Sequence, residues 1–243
     1  MSALKNQIAV VTGASSGIGK AIALGLAEQG AVLCLVGRKL EALQSVADEA
    51  KGKAPQTYCY QADLSVDREV QQLIANIKRD IKAVDVLVHS AGAIWLGPLE
   101  TATTDQLDGH YKTNLRAPYV LTQGLLPSLK SRHGQILFVN SSAGLTARAN
   151  AGQYAASKHA LKAVADSLRE EVNPAGVRVL SLFLGRTASP MQAAVYAMEH
   201  KPYNPELLMQ PGDVASVAIH ALTLPGSVEV TEISMRPLVK SYS

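Results

Sequence analysis

Short apolar runs alternate with longer stretches of helical spacing along almost the whole chain. The runs at 8–11, 32–36, 57–61, 84–89, 135–140, 178–184 and 228–235 are rich in β-branched residues, and several are continuously apolar. Strands buried on both faces of a parallel sheet read this way. Between them, 17–29, 39–50, 66–79, 103–126, 154–173 and 211–224 are each long enough for a crossover helix. The alternation predicts an α/β protein, a doubly wound, seven-stranded parallel sheet with helices on both faces. One interruption, at 188–210, carries Pro190, Pro202, Pro205 and a helical stretch bearing Met and Tyr. A long insertion after a late strand is where α/β enzymes place a lid or substrate wall; a surface excursion without function is the alternative.

Composition narrows the class. With 47% apolar residues, 18% charged residues and a net charge of +3 over 243 residues, the chain can bury a sizeable core and is neither a disordered tail nor a fibre. Length alone allows one domain or two. No linker, repeat or low-complexity tract divides the chain, so a single domain over 1–243 is expected. The 23 Lys and Arg are scattered rather than gathered into a stripe, which argues against a nucleic-acid partner. No apolar run approaches the ~20 residues of a membrane span, and 1–7 lacks the apolar core of a secretory signal. A cytoplasmic protein without a membrane partner is expected. Cys34 and Cys59 lie inside apolar runs and read as small buried thiols.

Candidate chemistry begins where the first strand ends. Thr12-Gly13-Ala14-Ser15-Ser16-Gly17-Ile18-Gly19 is a glycine turn between an apolar strand and a helix start. Glycines let a pyrophosphate approach the backbone, and the helix N-terminus offers free N–H groups and a positive dipole end. A dinucleotide site is predicted.

Tyr154 and Lys158 stand four apart, on one helix face about one turn from each other. There an ammonium can act on a phenol, whose ordinary pKa near 10 makes it a poor base at neutral pH. Ser141 lies thirteen residues ahead of Tyr154 at the end of a buried strand, followed by Ser142-Ala143-Gly144. In open α/β sheets, ligands bind at that edge.

Together these motifs, in this order, resemble the short-chain dehydrogenase/reductase family, and the resemblance covers nearly the whole chain. It implies a Rossmann-type fold and reversible hydride transfer between a nicotinamide and a small-molecule carbonyl or secondary alcohol. Gly13, Ser15, Ser16, Gly17, Ile18 and Gly19 would then line the cofactor. By resemblance, Ser141 rather than Ser142 is the catalytic serine, and Tyr154 protonates the developing alkoxide. Lys158 binds the nicotinamide ribose and lowers the tyrosine pKa. Asn114, in Tyr111-Lys112-Thr113-Asn114-Leu115, completes the set by holding a water that resupplies the proton.

The cofactor choice is read at the end of the second strand. Val36-Gly37-Arg38-Lys39 lacks the acid that would bind the ribose hydroxyls of NAD. Glycine leaves room for a 2′-phosphate, and Arg38 can fork onto it, so NADP(H) is expected. Asp63, in Ala62-Asp63-Leu64, matches the adenine-contacting segment of the family, or caps the next helix. His89-Ser90-Ala91-Gly92 stands where the family has Asn-Asn-Ala-Gly: Ala91 and Gly92 keep the close approach to the cofactor, and His89 reads as a structural histidine. In Leu184-Gly185-Arg186-Thr187-Ala188-Ser189 the resemblance places Gly185 at the nicotinamide and leaves Thr187 or Ser189 to contact its carboxamide.

Trp95, Leu145, Met191 and Tyr196 are candidates for the substrate wall, Trp95 being equally suited to filling the core. No metal is expected. The helices at 103–126 and 154–173 match the dimer-forming pair of the family, so a homodimer or homotetramer is implied. Two rivals are an enzyme acting like a 3-oxoacyl-carrier-protein reductase, which would gather Arg132, His133 and Arg148 into a landing patch, and a non-catalytic NADP sensor.

Overall fold

The computed structural model describes residues 3–239, so the ends of the expected 1–243 domain and the start of the segment 1–7 lie outside the described residues. Seven strands form one sheet: β1 (Ile8–Thr12), β2 (Val32–Gly37), β3 (Thr57–Gln61), β4 (Val86–His89), β5 (Gln135–Ser141), β6 (Arg178–Leu184) and β7 (Glu232–Met235). Their order is β3-β2-β1-β4-β5-β6-β7, every pairing parallel. The expected Rossmann-type sheet is present.

Helices α1 (Gly17–Glu28), α2 (Leu40–Glu49), α3 (Asp67–Asp80), α4 (Thr104–His110), α5 (Ala117–Ser131), α6 (Gly152–Val172), α7 (Pro190–Met198) and α8 (Pro211–Leu222) connect the strands. Alternation along each strand divides the core in two. Ala9 and Val11 of β1 pack with Ile22 and Leu26 of α1 and Val214 and Ala218 of α8. Val10 faces the other layer with Ile74 of α3, Leu121 and Leu125 of α5 and Leu161 of α6. This is why the strands read as unbroken apolar runs. Cys34 is buried and Cys59 half-buried, both free, and burial pushes the Cys34 thiol up to about 12.

Two expected elements differ. The helix expected over 103–126 is broken by a π-helical segment, Tyr111–Arg116. Pro118 has no N–H to offer the Asn114 carbonyl four residues back, and a widened turn absorbs such a gap. The strand expected over 228–235 begins only at Glu232. Its first residues are drawn off by side chains: the Arg178 guanidinium donates to the Val228 carbonyl at 2.9 Å, and the Val179 N–H donates to the Glu229 carboxylate at 2.9 Å. Among the described residues, no helix is long and apolar enough to cross a membrane, and no group of three His, Cys, Asp or Glu is arranged to hold a metal.

Candidate active site

The C-terminal ends of the central strands open on one cleft of about 1010 Å³, at the upper limit of the ~300–1,000 Å³ typical for one drug-sized ligand. The glycine turn forms one end. Gly13 and Gly17 have φ of 65° and 53°, the left-handed region that glycine enters freely. A Cβ on Gly19 would stand 2.3 Å from the Gly13 oxygen, and one on Gly13 2.8 Å from the Ala91 nitrogen. Thr12 joins this turn to the one after β4: its hydroxyl donates to Val88 O at 3.3 Å and accepts from the Ser90 and Ala91 N–H groups at 3.0 and 3.1 Å. Helix α1 starts behind Ser16 with no side-chain cap, leaving its first amides for an anionic oxygen.

Gly37, exposed Arg38 and Asp63 line the same end of the cleft as Ser15 and Ser16. Asp63 does not cap α3, whose N-cap is Val66; its carboxylate accepts from the Ser65 N–H and hydroxyl at 2.9 and 2.7 Å. Burial works to raise the Asp63 pKa, but Ser65 and the Arg38 charge hold it below the ordinary carboxylate value.

Beyond Ala91 and Gly92, which line the cleft, the chain runs irregularly and is tied to the helix beneath. Asn114 Oδ1 accepts from the Ala93 N–H at 2.8 Å, and Nδ2 donates to Ala93 O at 2.9 Å and to Ser157 Oγ at 3.0 Å. The Trp95 N–H donates to His110 Nε2 at 3.0 Å. His89 turns away from the cleft, pairing with Thr122 Oγ1 at 2.8 Å and stacking on Phe138. Burial lowers its pKa to about 3.

At the centre, Ser141 ends β5 and Tyr154 and Lys158 project from α6. The Ser141 hydroxyl accepts from the Ala143 N–H at 3.1 Å and lies close enough to the Tyr154 phenol to favour its ionised form. Ser142 is more exposed than Ser141. Lys158 Nζ donates to Val139 O at 3.1 Å and stands 5.9 Å from the Tyr154 ring centroid. Burial lowers Lys158 to about 8. Tyr154 lies above its ordinary value: burial outweighs the opposing influence of the Ser141 hydroxyl. The expected depression by Lys158 is therefore not what dominates, because the lysine is itself desolvated.

At the far side, Gly185, Thr187, Ser189 and Met191 line the cleft with Leu145 and Trp95. The Thr187 hydroxyl donates to Gly185 O at 3.2 Å, whereas Ser189 caps α7 by accepting from the Gln192 N–H at 3.1 Å. Tyr196 corrects an expectation: it packs away from the cleft with Ala188 and Leu208, under the Arg186 guanidinium at 4.6 Å. Arg186 is held there by both Glu199 carboxylate oxygens at 2.7 and 2.8 Å, which turns this face of α7 inward on itself. Arg148 lines the cleft. Arg132 does not join it: it pairs at 2.8 Å with Asp85, whose other oxygen accepts from Ile8 N–H at the opposite end of the strands.

Several residues that shape the site carried no motif. Asn140 accepts from the Ser141 N–H at 2.8 Å and donates to Lys158 O at 3.1 Å, locking β5 to α6. Ser157 links Asn114 to the Tyr154 carbonyl at 2.7 Å. Their signal is a polar residue inside an apolar run, Asn140, and one beside Lys158, Ser157. His110 lies one turn before Asn114 on the same face.

The family model for short chain dehydrogenase matches residues 7–200. The chain belongs to the short-chain dehydrogenase/reductase family of oxidoreductases. Uncharacterized oxidoreductases of Staphylococcus aureus (strain MW2) and Staphylococcus epidermidis are each 31% identical to it over 239 residues, 98% of this chain and all of theirs. An alcohol dehydrogenase from the archaeon Thermococcus sibiricus, solved with 5-hydroxy-NADP, superposes on this short-chain dehydrogenase/reductase with a TM-score of 0.88 at 28% identity, covering 98% of this chain and 100% of that one. A metagenomic short-chain oxidoreductase in complex with NADP gives 0.84 at 30% identity with the same coverage.

Proposed function

We propose that this single-domain enzyme reduces small carbonyl compounds, or oxidises the matching secondary alcohols, with NADP(H). The observation that carries the reading is the convergence of Ser141, Tyr154 and Lys158 at the middle of a cleft whose far end holds the glycine turn and Arg38. The cofactor fits the residues present. Gly13 and Gly19 let the turn close on itself and on the Ala91 backbone, where any Cβ would collide, so that the start of α1 lines the cleft with its amides, and Arg38 beside Gly37 supplies a fork for a 2′-phosphate. The NADP complexes of the two solved relatives support the same choice. Ala91, Gly92, Gly185 and Thr187 would line the nicotinamide end, and Asp63 the adenine.

When bound, the cofactor supplies or accepts the hydride. The protein handles the proton. Burial keeps Tyr154 a neutral acid, able to protonate the carbonyl oxygen as charge develops on it. The Ser141 hydroxyl donates to the same oxygen and holds the phenol in line. Lys158, with a pKa of about 8, stays largely charged at neutral pH and stabilises the phenolate left behind. Asn114 acts by holding the 90s loop and Ser157.

The segment 188–210 serves as the substrate lid, with Trp95, Leu145 and Met191 as an apolar wall. The distance of Arg132 from the cleft counts against a carrier-protein landing patch. Exposed Leu107, Tyr111 and Tyr119 support a homodimer or homotetramer joined through the π-interrupted helix. The deciding experiment measures NADPH and NADH oxidation over ketones, aldehydes and 3-oxo esters. NADPH-dependent turnover is expected; tight NADPH binding without turnover of any carbonyl would overturn the assignment and favour a sensor.

A further inference from the structure

Trp95 is the sole tryptophan of the chain, and its seat is more closely built than its loop position requires. Its ring lies on the backbone of Gly109: a Cβ there would stand 2.9 Å from both Cη2 and Cζ3 of the indole. The next residue, His110, is fully buried. It meets the indole edge-on, with centroids 5.0 Å apart at 81°, accepts the Trp95 N–H on Nε2, and touches the Tyr154 ring at 5.9 Å. Because Nε2 accepts, the imidazole is neutral with its proton on Nδ1. That nitrogen faces the Gln106 carbonyl one turn back without a well-formed hydrogen bond. Burial and the nearby Lys158 charge both favour the neutral ring.

We propose that Gly109 and His110 form a seat that fixes the Trp95 indole as the substrate wall beside Tyr154, and so select carbonyl compounds carrying a flat apolar substituent, aryl ketones and aldehydes foremost. The inference rests on the carbonyl-reductase reading above. His110 is a positioning residue: it holds Trp95 by ring edge and backbone while spacing it from the proton donor. The indole remains 38% exposed in a cleft that Leu145 and Met191 also line. An aryl group laid on it would remove apolar surface from water on both partners. Among the described residues, no aromatic side chain besides Trp95 and Tyr154 lines the cleft, so the preference depends on where this one ring is held.

The test uses three variants of the full chain. His110→Leu removes the acceptor, His110→Gln keeps one, and Gly109→Ala pushes on the indole while leaving the histidine intact. For His110→Leu and Gly109→Ala, KM for an aryl ketone should rise about tenfold relative to a small aliphatic ketone, with kcat changed far less and NADPH affinity unchanged; tenfold corresponds to about 1.4 kcal/mol. Trp95 emission should shift to the red and become more accessible to acrylamide. His110→Gln should recover most of both. If His110→Leu does not fold, Gly109→Ala carries the test. Turnover with an unaltered aryl-to-aliphatic KM ratio and unaltered Trp95 emission in the folded variants would overturn the seat alone. Absence of turnover in the wild type would overturn the carbonyl-reductase reading, and the substrate preference with it.

Discussion

Asn114 satisfies both main-chain groups of Ala93, accepting from its N–H at 2.8 Å and donating to its carbonyl at 2.9 Å. A loop that could not bond to itself is thereby given the partners a strand would have supplied. Asn114→Ala leaves those groups and Ser157 Oγ short of partners in a buried setting. The expected cost is ~2–4 kcal/mol, a fall in Tm of roughly 5–15 °C for a chain of this size. Thermal unfolding by circular dichroism checks it; a Tm within about 1 °C of wild type would mean water replaces the side chain without cost.

Tyr154→Phe removes only the hydroxyl that Ser141 contacts. Turnover should fall by ~10²–10⁴-fold, the usual worth of a positioned general acid, while calorimetric titration with NADPH gives an unchanged Kd. Substantial residual turnover would transfer the proton donor's role elsewhere in the site.

Arg38→Asp places a carboxylate where a 2′-phosphate is expected. KM for NADPH should rise ~10–100-fold, as for the loss of a charge-assisted hydrogen bond, and KM for NADH should fall. Retained NADPH preference in initial-rate assays would show that Ser15, Ser16 or Lys39 sets the selectivity.

His89 makes stability depend on acid. Above pH 6.5 neither the folded nor the unfolded chain protonates it. As the pH falls below 6.5 the unfolded chain takes up a proton that the folded state, with its pKa at about 3, refuses. Stability is therefore lost progressively between about 6.5 and 3, at up to ~1.4 kcal/mol per pH unit from this group. His89→Leu should be less stable at pH 7, by ~1–3 kcal/mol for the orphaned Thr122 hydroxyl, yet should lose less on going to pH 4.5. Urea unfolding at the two pH values measures both; parallel losses in the two proteins would place the acid sensitivity elsewhere.

The sheet and its helices were legible because strands buried on both faces and amphipathic crossovers leave a strong periodic trace, and six of the seven strands fall within two residues of the apolar runs. The shortened β7 was not, since only after the chain has folded does Arg178 take the Val228 carbonyl and the Glu229 carboxylate take the β6 N–H of Val179. Gly13, Gly19, Tyr154 and Lys158 announce themselves by spacing. The residues that aim them do not: Thr12, Asn140, Ser157 and His110 work through partners up to 79 positions away, and each is a common residue type in an ordinary place. Tyr196 failed as a wall residue for a related reason. Helical spacing places it on α7 with Met191, but only the Arg186–Glu199 pair decides which of the two faces the cleft.

The three hydrogen bonds of the Thr12 hydroxyl span 76 to 79 residues of sequence. No fragment holding β1 to β3 alone can assemble them, because both nested turns are needed and one arrives only with β4. During refolding, helical signal can therefore return from local contacts well before the site exists. Recovery of catalytic activity should trail it, keeping time with the slow closure of the non-local β1–β4 pairing.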